Sequence, residues 1–189
     1  TGADDEVHLT FDDGPDKDTP RILDILDRYG VKATFCMTGQ QVDAHPDIAR
    51  EVVQRGHLTC NHSYAHQTSV NRGSVEGVAA ELAKTNDAFE RAGIGAPSYY
   101  RAPEGVFTPQ VAAALPELGM RSLGWSVDSK DWTMPGVSAI VSGVLDNVGP
   151  KAIVLMHDGG GKTREQTVQA LPQVIDGIRK AGYTLATPP

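Results

Sequence analysis

The chain has 189 residues, of which 40% are hydrophobic and 22% charged, a balance typical of a globular domain rather than a disordered chain. Seventeen Lys and Arg against 24 Asp and Glu give a net charge of −7, which argues against nucleic acids or anionic membranes as partners. No apolar run approaches the roughly 20 residues of a membrane span. Since no linker or charge block divides the chain, we expect residues 1–189 to form one domain.

Short β-branched segments alternate along the chain with segments whose apolar residues recur every three or four positions. The first pattern predicts strands, and the second predicts helices with one buried face. Strands are predicted at seven places, Val7–Phe11, Val31–Met37, His57–Cys60, Ser98–Arg101, Arg121–Val127, Ala152–His157 and Tyr183–Ala186. Six predicted helices end on a glycine, the residue most often found there: Gly30, Gly56, Gly93, Gly119, Gly149 and Gly182.

Helix starts are marked as well, by Thr108 before Pro109 and by a capping box of Thr163 with Gln166. Repeated strand–helix units predict an α/β fold with a parallel sheet. About seven such units in a chain of this length indicate a small distorted (β/α) barrel, with an open doubly wound sheet as the alternative.

Most of the unusual polar residues begin where a predicted strand ends. They are Asp12 and Asp13, His62 and His66, Arg101, Asp128 and Asp131, and His157 and Asp158. Because the carboxyl ends of parallel strands meet at one edge, where ligands bind and catalysis is built, the sequence predicts an active site there.

A metal site is one interpretation of the first two groups. Taken alone, Asp12–Pro15 could be a turn that ends a strand, and His62 and His66 could be two surface histidines. Four residues apart on a helical turn, the two imidazoles could instead bind one ion. With a neighbouring aspartate they form the ligand set of a hydrolytic zinc site or of a facial-triad iron oxygenase.

The other groups allow both structural and catalytic interpretations. His157 could be a histidine at the edge of the core, or a general acid held by Asp128 or Asp131. Arg101 could form a surface ion pair or could orient an aspartate. Trp132 is a candidate for stacking on a sugar ring.

Two features are left open or rejected. Cys36 and Cys60 could form a disulfide, remain buried thiols or bind a metal, although their spacing fits no zinc motif. Gly159–Thr163 lies between a strand and a helix like a phosphate-binding loop, but that motif requires a glycine where the chain has Met156. We therefore disfavour a nucleotide site.

Taken together, five ordered motifs resemble those of the polysaccharide deacetylases, the NodB-homology family also called carbohydrate esterase family 4. These motifs are Thr10–Pro15, His62–His66, Arg101–Pro103, Asp128–Trp132 and Leu155–His157. The resemblance implies a distorted (β/α) barrel and a metal-dependent hydrolase that removes acetyl groups from β-1,4-linked polysaccharides.

The resemblance also implies the roles of individual residues. Asp13, His62 and His66 would bind a divalent metal ion. Zn²⁺ is the ion expected, and Co²⁺ or Ni²⁺ could substitute for it. Asp12 would be the catalytic base and His157 the acid. An oxyanion would be stabilised by the metal and by the backbone N–H after the third motif's arginine.

Further residues would support these groups. Arg101 would orient the base and Asp131 would tune the acid. The substrate-binding residues implied are Trp132, Leu155, Glu104 and Tyr100. The family commonly has a tyrosine where this chain has Glu104, and we expect this carboxylate to favour partly deacetylated, cationic chains.

The chemistry does not distinguish an amide from an ester, because both pass through a tetrahedral oxyanion. We rank N-deacetylation of chitin or chitooligosaccharides first, O-deacetylation of acetylxylan second and peptidoglycan N-acetylglucosamine deacetylation as a further alternative. The short predicted loops favour an open groove. The family resemblance further implies a secreted monomer. A silent carbohydrate-binding module and an iron oxygenase are the rival functions.

Overall fold

The computed structural model describes residues 3–189. Within this range eight strands form one parallel sheet: β1 (Glu6–Asp12), β2 (Thr34–Met37), β3 (Leu58–Asn61), β4 (Tyr99–Tyr100), β5 (Arg121–Ser122), β6 (Val127–Asp128), β7 (Ile153–His157) and β8 (Thr184–Leu185). Seven α-helices accompany it: α1 (Thr19–Tyr29), α2 (Gly39–Ala44), α3 (Pro46–Gln54), α4 (Val75–Arg91), α5 (Pro109–Ala114), α6 (Val137–Leu145) and α7 (Glu165–Lys180).

The sheet is a curled half-barrel, as the alternation of strands and helices predicts. Seven strands follow the order β5-β4-β3-β2-β1-β7-β6, and β8 pairs with the first two residues of β1. The two edge strands, β5 and β6, are consecutive in the chain and separated only by residues 123–126. So short a segment spans at most about 18 Å, so the two edges of the sheet lie close together.

One predicted strand is wrong in a way that matters for the barrel. Arg121–Val127 is not continuous: β5 pairs with β4 at one edge, whereas β6 pairs with β7 at the other. Between them Leu123 and Ser126 donate backbone hydrogen bonds to opposite edges of the sheet, at 2.9 and 3.0 Å. The segment of residues 123–126 therefore crosses the opening of the half-barrel.

Helix ends agree with the sequence at most positions. Five of the six predicted terminal glycines have positive φ, and the exception is Gly149, near which Lys151 is the left-handed residue. Thr108 caps α5 as predicted, accepting from Val111 N–H. The predicted capping box of α7 is wrong, because the Gln166 side chain accepts a hydrogen bond from the Gly136 N–H instead.

The main core lies between the sheet and the surrounding helices, and includes Leu9 and Phe11 of β1 and Leu171 of α7. A smaller cluster containing Cys36 and Cys60 forms separately. These cysteines face each other in register on β2 and β3 and form a disulfide. Among the described residues, no helix combines the length and apolar character needed to cross a membrane.

Candidate active site

A cavity of about 820 Å³ opens at the carboxyl ends of the strands. Its polar lining includes Asp12, Asp13, His62, His66 and His157, which come from the ends of β1, β3 and β7. The structure thus brings together side chains that are up to 145 positions apart, between Asp12 and His157. Convergence follows from the register, since these two residues are paired on adjacent strands.

Asp12 is held by a buried arginine. The Arg101 side chain is fully buried, and its Nη1 donates to Asp12 Oδ1 at 2.8 Å and to Thr10 Oγ1 at 2.7 Å. Its other nitrogens donate to the backbone carbonyls of Leu123 and Gly124. These contacts span the opening of the half-barrel, so Arg101 fixes one oxygen of Asp12 and leaves Oδ2, 3.6 Å from His62 Nε2, on the cavity side.

Asp13, His62 and His66 form a compact cluster beside Asp12. Asp13 Oδ1 lies 3.2 Å from His62 Nε2 and 3.4 Å from His66 Nε2. From their spacing we expected the two histidines to share a helical turn, but they do not. They lie in a loop in which Ser63 and His66 have positive φ, and this loop turns both imidazoles toward the aspartate.

The donor set of this cluster fits a divalent cation. His62 Nδ1 lies 2.8 Å from the Arg101 carbonyl, so it carries the proton and leaves the Nε2 lone pair facing the cluster. Asp13 Oδ1 is buried and accepts no hydrogen bond within residues 3–189. Three ligand atoms lie within 4.8 Å of one another, and two nitrogens with one carboxylate form a set that binds zinc with open positions.

The electrostatics of the cluster favour positive charge. Burial raises the pKa of Asp13, but the neighbouring imidazoles of His62, His157 and His66 lower it to about 2 overall. Burial lowers the pKa of His62, yet the carboxylates of Asp12 and Asp13 raise it above its usual value overall. A site that stabilises a proton between carboxylates also stabilises a metal cation there.

His157 is paired with Asp131, one of the two carboxylates proposed for it. Asp131 Oδ1 lies 2.7 Å from His157 Nδ1, while Oδ2 accepts from the His157 backbone N–H and from Thr167 Oγ1. Burial lowers the pKa of His157, but the hydrogen bond and charge of Asp131 outweigh it and raise the pKa to about 8. The alternative partner Asp128 accepts from the Lys130 N–H instead.

The residues expected to contact substrate fall into two groups. Leu155, Trp132 and Glu104 line the cavity, and Trp132 is 55% exposed. Tyr100 does not: its side chain is fully buried in the cluster under α4 and α5, and its hydroxyl donates to Asn71 Oδ1 at 3.1 Å. Tyr100 therefore lies outside the cavity lining, contrary to the expectation from the family resemblance.

Several residues of the site were not assigned a role from the sequence. Trp125 and Met134 line the cavity, as do Lys162 and Arg164. Asp158 is buried below it, accepting from Gly14 N–H and Thr19 Oγ1, and burial raises its pKa to about 7. Of these residues, only Asp158 has a signal in the sequence, its place next to His157 at a strand end.

An α/β half-barrel with paired carboxylates and imidazoles around one cavity at the carboxyl ends of its strands is the architecture of an enzyme of the α/β-barrel class. Comparison with known proteins gives the family. Residues 1–123 match the family model for polysaccharide deacetylases, and the chain belongs to this family. It is thus a hydrolase that acts on an acetylated carbohydrate.

Individual relatives agree with this assignment. The chain is 38% identical to a chitooligosaccharide deacetylase of Bradyrhizobium sp. (strain ANU 289), over 95% of this chain and 87% of that protein. It is 36% identical to a peptidoglycan-N-acetylglucosamine deacetylase of Bacillus cereus, over 96% and 85% of the two chains. The family 4 carbohydrate esterase from Streptomyces lividans, solved in complex with acetate, superposes with a TM-score of 0.86 and 30% identity, over 96% and 91%.

Proposed function

We propose that this deacetylase removes N-acetyl groups from chitin or chitooligosaccharides by metal-dependent hydrolysis. The observation that carries this proposal is the arrangement of three groups around one cavity. A cluster that favours a cation lies beside a carboxylate fixed by Arg101, and an imidazole raised in pKa by Asp131 lies on the neighbouring strand. Hydrolysis of an amide requires a base, an acid and stabilisation of an oxyanion.

Asp13, His62 and His66 are the residues that would hold the metal, for which we propose Zn²⁺ with Co²⁺ or Ni²⁺ as substitutes. When bound, such an ion lowers the pKa of water and polarises the acetyl carbonyl. Asp12 would act as the base, since Arg101 binds Oδ1 and Oδ2 stays free to accept a proton from the attacking water.

His157 is proposed as the acid. In the metal-free protein its pKa of about 8 keeps it mainly protonated at neutral pH, and because Nδ1 is bonded to Asp131, Nε2–H is left to protonate the departing amine. The backbone N–H of Ala102, which follows Arg101, finds no acceptor in the described part of the chain. We assign it to the oxyanion. Leu155 and Trp132 would enclose the acetyl methyl group.

Two kinds of relatives bear on the choice of substrate. Relatives named for chitooligosaccharides and for peptidoglycan both exceed 35% identity over nearly the whole chain. O-deacetylation of acetylxylan is our second activity, with peptidoglycan deacetylation as the further alternative. A silent carbohydrate-binding module would need neither the Arg101–Asp12 nor the Asp131–His157 pair, and an oxygenase would have no use for the acid.

Glu104 supports a preference within this substrate class. It is exposed and lines the cavity, where a carboxylate would attract the ammonium group of an already deacetylated sugar. Glu104→Gln should therefore lower activity on partly deacetylated oligosaccharides relative to fully acetylated ones. An unchanged ratio of the two rates of acetate release would contradict this role.

We further propose that residues 1–189 form one catalytic domain that acts as a secreted monomer. The continuous sheet supports the single domain. The Cys36–Cys60 disulfide supports secretion, because disulfides persist mainly in oxidising compartments.

The test is acetate release from acetylated chitooligosaccharides and from acetylxylan, using protein stripped with a chelator and then titrated with Zn²⁺ or Co²⁺. We expect the metal to restore release, and Asp13→Asn to abolish the restoration. Asp146→Asn, which removes an exposed carboxylate at the end of α6, is the matched control and should respond like the parent protein. Failure of every metal on both substrates would refute the proposal.

A further inference from the structure

The loop between β7 and α7 forms one wall of the cavity, yet no step of the proposed chemistry uses it. Its glycines allow very close packing: a Cβ on Gly160 would lie 2.5 Å from Asp13 Oδ2, and one on Gly161 would lie 3.1 Å from the guanidinium carbon of Arg164. A side chain at position 160 would therefore displace the Asp13 carboxylate, and one at position 161 would press on the arginine. The loop holds the Arg164 guanidinium at the cavity wall.

Within residues 3–189, Arg164 is a largely buried cation without a counter-charge. The residue is only 7% exposed, and what remains accessible lines the cavity. Its Nε donates to the Gly159 carbonyl at 2.8 Å, but within residues 3–189 Nη1 and Nη2 have no acceptor and no carboxylate lies at ion-pair distance. Since an unpaired buried charge is costly, this guanidinium favours an anion supplied by a ligand.

A second cation at the cavity wall helps to define the chemical class of the ligand. Lys162, on the same loop, is exposed, lines the cavity and has no ion pair with any described residue. The acidic residues Asp12, Asp13, Glu104 and Asp128 also line the cavity, but within residues 3–189 none of them forms an ion pair with Arg164 or Lys162. A guanidinium with both terminal nitrogens free matches the two oxygens of a carboxylate, and a neighbouring ammonium adds attraction at longer range.

We propose that Arg164 and Lys162 form a subsite for a carboxylate carried by the glycan substrate, on a sugar next to the one that loses its acetyl group. This inference rests on the proposed function, because it requires a glycan in the cavity. The lactyl group of a muramic acid residue and the glucuronic acid branch of a xylan both carry such a carboxylate. The subsite would give the enzyme a preference for anionic over neutral β-1,4-linked chains, and this preference would place such glycans ahead of the neutral chitooligosaccharides that we ranked first.

The test compares kcat/KM for zinc-loaded protein on matched substrates. One pair is N-acetylchitotetraose and a tetrasaccharide of alternating N-acetylglucosamine and N-acetylmuramic acid. The other is acetylated xylooligosaccharides with and without a glucuronic acid branch. We expect the anionic member of at least one pair to be preferred, and the pair that shows the preference identifies the source of the carboxylate.

Variants then assign the preference to the two residues. Arg164→Gln should lower the ratio of anionic to neutral kcat/KM about tenfold, the effect of losing a hydrogen bond to a charged group. Lys162→Gln should lower it about twofold to threefold, as expected for an exposed charge. Lys180→Gln, an exposed lysine at the far end of α7, is the control and should leave the ratio unchanged. A purely structural fault would lower both rates together and leave the ratio intact.

Two outcomes would overturn this inference alone. Equal kcat/KM on the anionic and neutral members of both pairs would remove the subsite while leaving the deacetylase function standing. A preference that survives in both Arg164→Gln and Lys162→Gln would place it elsewhere. Absence of acetate release from all four substrates would instead refute the proposed function, and this inference with it.

Discussion

Replacing Asp131 by asparagine tests whether His157 works as an acid. The Asp131 carboxylate is buried and its Oδ2 accepts from the His157 backbone and from Thr167, while Oδ1 meets His157 Nδ1. In Asp131→Asn the amide oxygen can keep the two Oδ2 contacts, and the NH₂ group then faces Nδ1. An imidazole that must accept at Nδ1 is neutral, so the variant favours loss of the proton.

The magnitude follows from the pKa. Burial lowers the pKa of His157 and Asp131 raises it, with a net value of about 8 against 6.5 for an ordinary histidine. Without the carboxylate we expect a pKa at or below 6.5, a shift worth about 2 kcal/mol. At pH 8 the protonated fraction would fall from about one half to about 3%, a loss of about 16-fold. At pH 6 it would fall only from about 99% to about 76%.

The assay is kcat for acetate release between pH 6 and 8, with metal saturating. A bound cation lowers the pKa of His157 in parent and variant alike, so the difference set by Asp131 is kept. The activity ratio of parent to Asp131→Asn should therefore rise about tenfold across this range, on top of any constant loss from altered orientation. Thr167→Val is the matched control, because it removes a hydrogen bond to Asp131 but keeps the charge. A ratio that stays constant from pH 6 to pH 8 would refute the assignment of His157 as the acid.

Two other substitutions test the buried framework of the site. Arg101→Met leaves the Asp12 carboxylate buried without a cation, so urea denaturation should show a loss of about 3–5 kcal/mol in the free energy of unfolding; a loss below about 1 kcal/mol would contradict the importance of the pair. Gly160→Ala places a Cβ against Asp13 Oδ2 and should weaken Zn²⁺ binding at least about tenfold in calorimetry. Gly182→Ala has the same left-handed strain but open space around it; equal zinc affinities for these two variants would show that the close approach does not matter.

The fold could be predicted from the sequence because each strand and helix carries its own local pattern. A pattern does not show which strand a residue will pair with, and this explains the error at Arg121–Val127. All its residues suit a strand, but Arg121 and Ser122 pair with β4 while Val127 and Asp128 pair with β7. The segment between the two pairs crosses the opening of the half-barrel, whose curvature is a property of the whole sheet.

Alternation along a strand explains the outcome at Tyr100. Successive side chains in a strand point to opposite faces, so Tyr100 and Arg101 cannot both face the cavity. Arg101 points inward to Asp12, and Tyr100 packs outward with Asn71. Alternation therefore lets only one of these two neighbours face the cavity, and that residue is Arg101. The role that we propose for Arg164 has no signal in the sequence, because it depends on how closely the loop between β7 and α7 packs against Asp13.

The charges of the site explain why His157, the acid that we propose, needs a carboxylate of its own. Asp12 and Asp13 also raise the pKa of His157 through their negative charge. A divalent cation bound by Asp13, His62 and His66 would offset those charges, which leaves Asp131 as the main support of the protonated imidazole. Metal binding should therefore lower the pKa of His157, and zinc-loaded protein should release this proton at a lower pH than metal-free protein. Titration of the His157 imidazole by NMR with and without Zn²⁺ measures the difference, and a pKa that rises on metal addition would contradict the placement of the cation beside the acid.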